Sequence, residues 1–235
     1  MNDNKNGSNC LVIIPARNEE MTIARVVRDV FRAVPCQVVV VDDNSSDTTT
    51  SAARSAGAVV LSLAQHLGAW GAIQTGMRYA LTKGYRTVVT MDADGQHRAE
   101  DINQLLNRLR ETGHNVIVAA YPQRGSWQRQ IAWRFFRRLT GLNLQDLTSG
   151  FRAYDRRSFA MLAAPGATLL DYQDIGVLLM LQGMGMRVSE IDTFMPARSV
   201  GKSRIFNTWA SVAVYLGQSL ILSLCRRNKI FPKIT

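Results

Sequence analysis

The stretch Thr87–His97, TVVTMDADGQH, begins as a buried strand would and ends in side chains that could do chemistry. Asp92 and Asp94 stand one residue apart, just before Gly95 gives the chain a place to turn. Two carboxylates this close repel each other unless a cation lies between them. Oxygen ligands without a thiolate select Mg2+ or Mn2+ over zinc. Mg2+ takes one or two carboxylates and completes its shell with water and substrate phosphates, so the pair implies a diphosphate ligand. Asp94 also has a plainer reading, as the cap of a following helix. His97 reads as the histidine at that helix start, in preference to a partner standing behind the metal ligands.

Those groups need a frame. CLVII (10–14), QVVVV (37–41), AVVLS (58–62), RTVVTM (86–91) and NVIVAA (115–120) read as strands, because each is a short, nearly continuous apolar run rich in β-branched residues. Helical patterns separate them. Asn18 is expected to cap a first helix that carries Glu19 and Glu20 in its first turn and runs to about Ala33. Asp47 caps a short second helix, 71–84 forms a third, and a fourth runs from about Ala99 to Glu111. The alternation predicts an α/β fold with a mostly parallel central sheet flanked by helices. Ligands bind such sheets beyond the carboxyl ends of the strands. On that edge the chain places the loop from Pro15 to Glu19, Asp42-Asp43-Asn44-Ser45 and the Asp92-x-Asp94 pair. Asp42 and Asp43 could accept from a nucleobase N–H or from ribose hydroxyls. Neither a P-loop nor a G-x-G-x-x-G run follows strand one, which excludes both of those phosphate-binding classes. Gly68, Gly71 and Gly76 suit either backbone approach to phosphate or close helix–sheet packing.

The chain has 235 residues, enough for one sizeable domain, and a formal net charge of +10. The excess is local. Residues 113–145 hold five Arg and no acid, and residues 193–235 hold seven Lys or Arg and no acid. The other sixteen basic residues stand against all 18 acids. Basic patches of this kind suit an anionic surface. A nucleic-acid partner is excluded by the acids at the strand ends and by the absence of a nucleic-acid-binding motif. Cys10, Cys36 and Cys225 are odd in number and widely spaced, which predicts reduced thiols.

Five motifs in order, PARNE, VVDDNSSDTT, MDADGQH, DLTSGFR and RSVGKSR, resemble those of family 2 glycosyltransferases, with dolichyl- and undecaprenyl-phosphate sugar transferases as the most similar branch. The resemblance covers residues 10–206. It implies a GT-A (Rossmann-like) fold, a UDP- or GDP-sugar donor, a divalent cation (Mg2+ or Mn2+) and inversion at the anomeric carbon. It implies that Pro15, Asn18 and Glu19 shape the nucleotide pocket, that Asp42 meets the base or ribose, and that Asp92, Asp94 and Gln96 surround the metal. Asp146 is expected near the acceptor and, with Asp94, in the catalytic set; Ser149 and Arg152 share its loop. Arg198, Lys202 and Ser203 are expected to close over the donor diphosphate. One departure is His66-Leu67-Gly68-Ala69-Trp70-Gly71, where relatives often show N-x-G-K-G and Trp70 stands in place of a cation.

The acceptor is expected to be a lipid phosphate, which is already anionic and needs little help from a base. Arg124, Arg129 and Arg134 would meet it, in a stretch where Arg alternates with Trp127, Trp133, Phe135 and Phe136 as at a lipid headgroup level. A saccharide hydroxyl is the alternative acceptor, with Asp146 or the Asp171-x-x-Asp174 pair as base. Residues 1–9 are expected to be a disordered lead-in, 10–204 the GT-A domain, and 205–235 a basic amphipathic helix. A polar stripe from Asn207 to Ser223 favours a helix lying in the membrane interface, or pairing in a homo-oligomer, over a span. The expected location is the cytoplasmic face of the cell membrane, as a peripheral or monotopic protein.

Overall fold

The computed structural model describes residues 9–121, 148–169 and 175–195, together with residues 134, 137, 141 and 144–146. Its strands are β1 (Cys10–Ala16), β2 (Gln37–Asp42), β3 (Val59–Ser62), β4 (Thr87–Thr90), β5 (Val116–Ala120), β6 (Arg152–Asp155) and β7 (Val188–Asp192). They form one sheet in the order β3-β2-β1-β4-β6-β5-β7. β6 runs antiparallel to β4 and β5, and every other pairing is parallel. The carboxyl ends of the six parallel strands and the amino end of β6 therefore share one edge.

Successive strand residues face opposite sides, so each buried strand feeds two cores. Leu11, Ile13, Val39, Val41, Val116 and Val118 face α3 (Gly68–Thr82), α5 (Arg156–Ala163) and α6 (Ile175–Gly183). Val12, Ile14, Val38, Val40, Ile117 and Ala119 face α1 (Ile23–Ala33), α2 (Thr49–Ser55) and α4 (Asp101–Thr112). All five strands expected from apolar runs are present. The two that the sequence reading lacked, β6 and β7, carry Arg152 and Asp155, and Glu190 and Asp192, so neither shows a continuous apolar run.

Asn18 does not cap a helix. It adopts a left-handed φ of 53°, and α1 begins five residues later, at Ile23. Its Oδ1 instead accepts from Ser46 N at 2.9 Å, because the β1–α1 and β2–α2 loops lie side by side. Asp94 does not cap α4, which starts seven residues on; its Oδ1 accepts from Gln96 N at 3.0 Å inside the Gly95 turn. Asp47 lies one position ahead of the expected cap: Thr48 is the N-cap of α2, and the Asp47 carboxylate accepts from Thr49 N at 2.9 Å. Gly76 serves helix–sheet packing: a Cβ there would lie 2.5 Å from Ile13 Cγ2.

Residues 1–8, Arg124, Arg129, Asp171, Asp174, Arg198, Lys202, Ser203 and the 205–235 segment lie outside the described residues, and Arg134 is exposed. No helix among the described residues is long and apolar enough to cross a membrane.

Candidate active site

The shared edge has two ends. At one end the loops after β1 and β2 are zipped together by side chains. Glu19 N donates to Thr49 Oγ1 at 2.8 Å, Asn18 N to Ser45 Oγ at 3.0 Å, and Thr48 N to Glu20 Oε2 at 3.0 Å. Asp42 is buried and accepts from Ser45 Oγ through Oδ1 and from Thr50 Oγ1 at 2.9 Å through Oδ2. Asp43 is also buried. Its Oδ1 accepts from Leu67 N at 2.7 Å, and its Oδ2 lies 2.6 Å from His66 Nδ1. The VVDDNSSDTT run thus builds a hydrogen-bonded rim in which Asp42 organises its own loop and Asp43 draws in the turn before α3. Pro15 lies half-buried at the foot of this rim, in β1. The His66–Asp43 pair had no local sequence signal, since 22 residues separate the two positions.

At the middle of the edge β4 delivers Asp92, Asp94 and Gln96. The Asp92 side chain is 39% exposed, and its Oδ2 lies 3.0 Å from Nε2 of His97. His97 itself is buried: its side chain is only 2% exposed and packs against Phe151, with ring centroids 4.9 Å apart. The sequence reading favoured a plain helix-start histidine. The structure instead makes His97 a buried strut behind Asp92. Gly95, at φ 75°, makes the turn that brings the pair round.

At the other end stands the loop before β6. Asp146 is 0% exposed, and its carboxylate accepts from Thr148 N at 3.0 Å, Thr148 Oγ1 at 3.1 Å and Tyr121 N at 3.4 Å. Ser149 and Arg152 are buried beside it; Ser149 Oγ accepts from Phe151 N at 3.3 Å, and Arg152 Nε donates to Ser149 O at 2.7 Å. Three expected acceptor residues are therefore brought together, and their described bonds shape the loop. Glu190 of β7 accepts from Gln145 N at 2.7 Å, next to Asp146. Burial pushes its carboxyl above the ordinary range, against the pull of that N–H, and Asp192 adds to the rise.

Trp70 does not stand in for a phosphate-binding cation. It is buried, and its Nε1 donates to Ala167 O at 2.8 Å, pinning α3 to the 3-10 turn Pro165–Leu169. Cys10 of β1 and Cys36, just before β2, are buried neighbours that form no disulfide. Their mutual hydrogen bond, then burial, push the Cys10 thiol well up.

Among the described residues no cluster of three or more His, Cys, Asp or Glu side chains could hold a metal by itself. Mg2+ or Mn2+ takes only one or two carboxylates and completes its shell with phosphate and water oxygens. Asp92 and Asp94 fit that donor set, with Gln96 in the same turn.

An α/β sheet with one antiparallel strand, carrying a D-x-D at the central strand end between the zipped loops after β1 and β2 and a second polar loop, is the GT-A architecture. The chain belongs to glycosyl transferase family 2, whose model matches residues 11–162. It is 31% identical over 148 residues to an undecaprenyl-phosphate mannosyltransferase of Micrococcus luteus, covering 59% of this chain and 60% of that protein. It is 31% identical over 163 residues to a polyprenol monophosphomannose synthase of Mycolicibacterium smegmatis, covering 62% and 61%. The matches thus span about 60% of the length of these curated relatives. Its fold is similar to that of glucosyl-3-phosphoglycerate synthase from Mycobacterium tuberculosis, crystallised with Mn2+, UDP-glucose and phosphoglyceric acid, at TM-score 0.68 and 20% identity, covering 97% of this chain and 82% of that one.

Proposed function

We propose that this chain is an inverting glycosyltransferase that moves a sugar from a UDP- or GDP-sugar to a polyprenyl phosphate at a membrane surface. The observation that carries the reading is the order of groups along one sheet edge: the zipped rim of Asn18, Glu19 and Asp42, then Asp92 and Asp94, then the Asp146 loop. A donor laid along that edge has its nucleoside in the rim and its diphosphate at the D-x-D. The sugar then points toward β5, β6 and β7. The named activities of the two mannosyltransferase relatives support the lipid-phosphate acceptor.

The Asp146 environment supports the same choice. A sugar hydroxyl must lose a proton to a base in reach, whereas a phosphate arrives ionised. Asp146 is sealed from solvent and, among the described residues, accepts three hydrogen bonds that hold its loop, a posture that supports positioning over proton abstraction. Asp92, Asp94 and Gln96 would hold the divalent cation, which offsets charge on the departing diphosphate. Arg198, Lys202 and Ser203 would close over that diphosphate, while Arg124, Arg129 and Arg134 would draw in the acceptor phosphate. Ser149 and Arg152 would keep the acceptor loop in shape. The protein would work at the cytoplasmic face of the membrane.

The test is transfer of radiolabel from a panel of sugar nucleotides into organic-extractable product in the presence of polyprenyl phosphate. Asp94→Asn should reduce that label by orders of magnitude while leaving the circular-dichroism spectrum unchanged. Full activity in saturating chelator would remove the metal, and label appearing only in water-soluble saccharide would move the acceptor to a hydroxyl.

A further inference from the structure

Beyond the polar loop of Asp146, the edge ends in an aromatic pair that the catalytic reading does not use. Tyr121 follows β5 directly, and Phe194 lies two residues past the end of β7. Their rings meet edge to face, with centroids 5.6 Å apart and planes at 68°, a favoured aromatic geometry. Phe194 is 58% exposed, one of five large apolar side chains left exposed among the described residues.

The pair is held in place. Ala120 O accepts from Thr193 N at 2.8 Å and from Thr193 Oγ1 at 3.2 Å, lashing the exit of β7 to the exit of β5. Tyr121 N donates to Asp146 Oδ2, so the same residue that presents one ring also fixes the acceptor loop. A single exposed Phe is ordinary on a protein surface. An exposed Phe braced by a second ring, on a backbone tied through Thr193 to Ala120 and next to the acceptor loop, is a preformed apolar wall.

Its position defines what it can touch. Strands lie about 4.8 Å apart, so β5 is about 10 Å and β7 about 14 Å across the sheet from β4. A sugar at Asp92 and Asp94, followed by the acceptor phosphate, occupies that interval. The next atoms of a polyprenyl phosphate are the first isoprene unit, which is branched, apolar and without hydrogen-bonding groups. We infer that Tyr121 and Phe194 form the subsite for the phosphate-proximal isoprene of the acceptor lipid and select a prenyl phosphate over a polar phosphate ester. This rests on the lipid-phosphate reading above.

The experiment uses the full chain, the donor that labels the organic phase with wild type, and farnesyl phosphate in neutral-detergent micelles. Phe194→Ala should raise the KM for farnesyl phosphate roughly tenfold, equivalent to about 1.4 kcal/mol, and leave the donor KM within twofold. Phe194→Leu should restore most of the loss, and Tyr121→Ala should behave as Phe194→Ala does. Equilibrium dialysis of labelled farnesyl phosphate should show the same loss of binding without turnover. The inference is overturned if wild type is active and Phe194→Ala keeps its farnesyl phosphate KM within twofold, or if donor and acceptor KM rise together. Wild type that labels no organic-soluble product with any donor instead removes the lipid-phosphate reading itself, and the subsite with it.

Discussion

At the residue scale the central relation is between Asp92 and His97. A carboxylate that must meet a cation is more effective when its orientation is fixed before the cation arrives, and buried partners behind metal ligands do this. His97 has the required placement: Nε2 is 3.0 Å from Asp92 Oδ2, and the ring is enclosed against Phe151. His97→Phe keeps an aromatic ring in that space and removes the hydrogen bond. It should weaken nucleotide-dependent Mn2+ binding by roughly 10–100-fold, read by electron paramagnetic resonance titration in the presence of UDP. Unchanged Mn2+ affinity with lowered thermal stability would reduce His97 to a packing residue. The D-x-D was legible in the sequence because its chemistry lies in adjacent positions. The strut was not, because its burial depends on Phe151, which arrives just before β6, a strand that no apolar run announces. The same holds for His66 on Asp43 and for Cys10 beside Cys36, each joined only by strand order.

At the scale of elements, the five apolar strands and four helices were legible from their apolar runs: burial on both faces leaves little else for β1, β2, β4 and β5 to do, and β3, an exposed edge strand, still shows its β-branched run. β6 was hidden because a four-residue strand, RAYD, can carry Arg and Asp when its neighbours supply the burial. Two predictions belong here. α3 crosses β1 at Gly76, where a Cβ would meet Ile13, itself wholly buried. Gly76→Ala gains up to about 1 kcal/mol of helix propensity but must displace a core side chain, at about 1–3 kcal/mol. Urea denaturation should therefore show net destabilisation, and a more stable variant would mean that β1 and α3 separate at little cost. The second concerns α4, whose first turn buries Asp101 with Oδ2 lacking a hydrogen-bond partner among the described residues. Burial raises its carboxyl above the ordinary value; Glu100 adds to the rise, while Arg98 and His97 oppose it. The folded state thus holds this proton more tightly than the unfolded chain does. The associated stability is present at acid pH and is lost as pH rises through the elevated folded value. Asp101→Asn should remove that slope, so thermal scans should show its midpoint gaining on wild type between pH 4 and pH 7. Parallel pH profiles for the two proteins would show that Asp101 titrates as it does when unfolded.

At the scale of the whole molecule, charge and exposure point the same way. The entire positive excess lies in two acid-free stretches, 113–145 and 193–235. Of the five large apolar side chains exposed among the described residues, Met21, Leu67 and Phe194 lie in loops on the ligand edge. An edge that offers exposed apolar side chains, in a chain whose basic excess is this local, is what our reading of an enzyme working at an anionic bilayer calls for. Each basic residue near such a surface contributes on the order of 1 kcal/mol, and that contribution falls with salt. Apolar contacts do not fall in this way. The uncharged run from Ile205 to Cys225, with its polar stripe, is expected to supply them. Among the described residues both hydrophobic cores are built from residues between Cys10 and Ile191, so a chain ending before Ile205 retains every core residue named here. Flotation with anionic liposomes should then give a two-part result. For the full chain, raising salt should release part of the protein and leave a salt-resistant remainder. For the shortened chain, binding should become fully salt-sensitive and transfer to polyprenyl phosphate should slow, while nucleotide binding is largely kept. A shortened chain that still floats with neutral liposomes in high salt would move the apolar anchor from 205–225 to the ligand edge itself, and Met21, Leu67 and Phe194 would be the side chains to remove next.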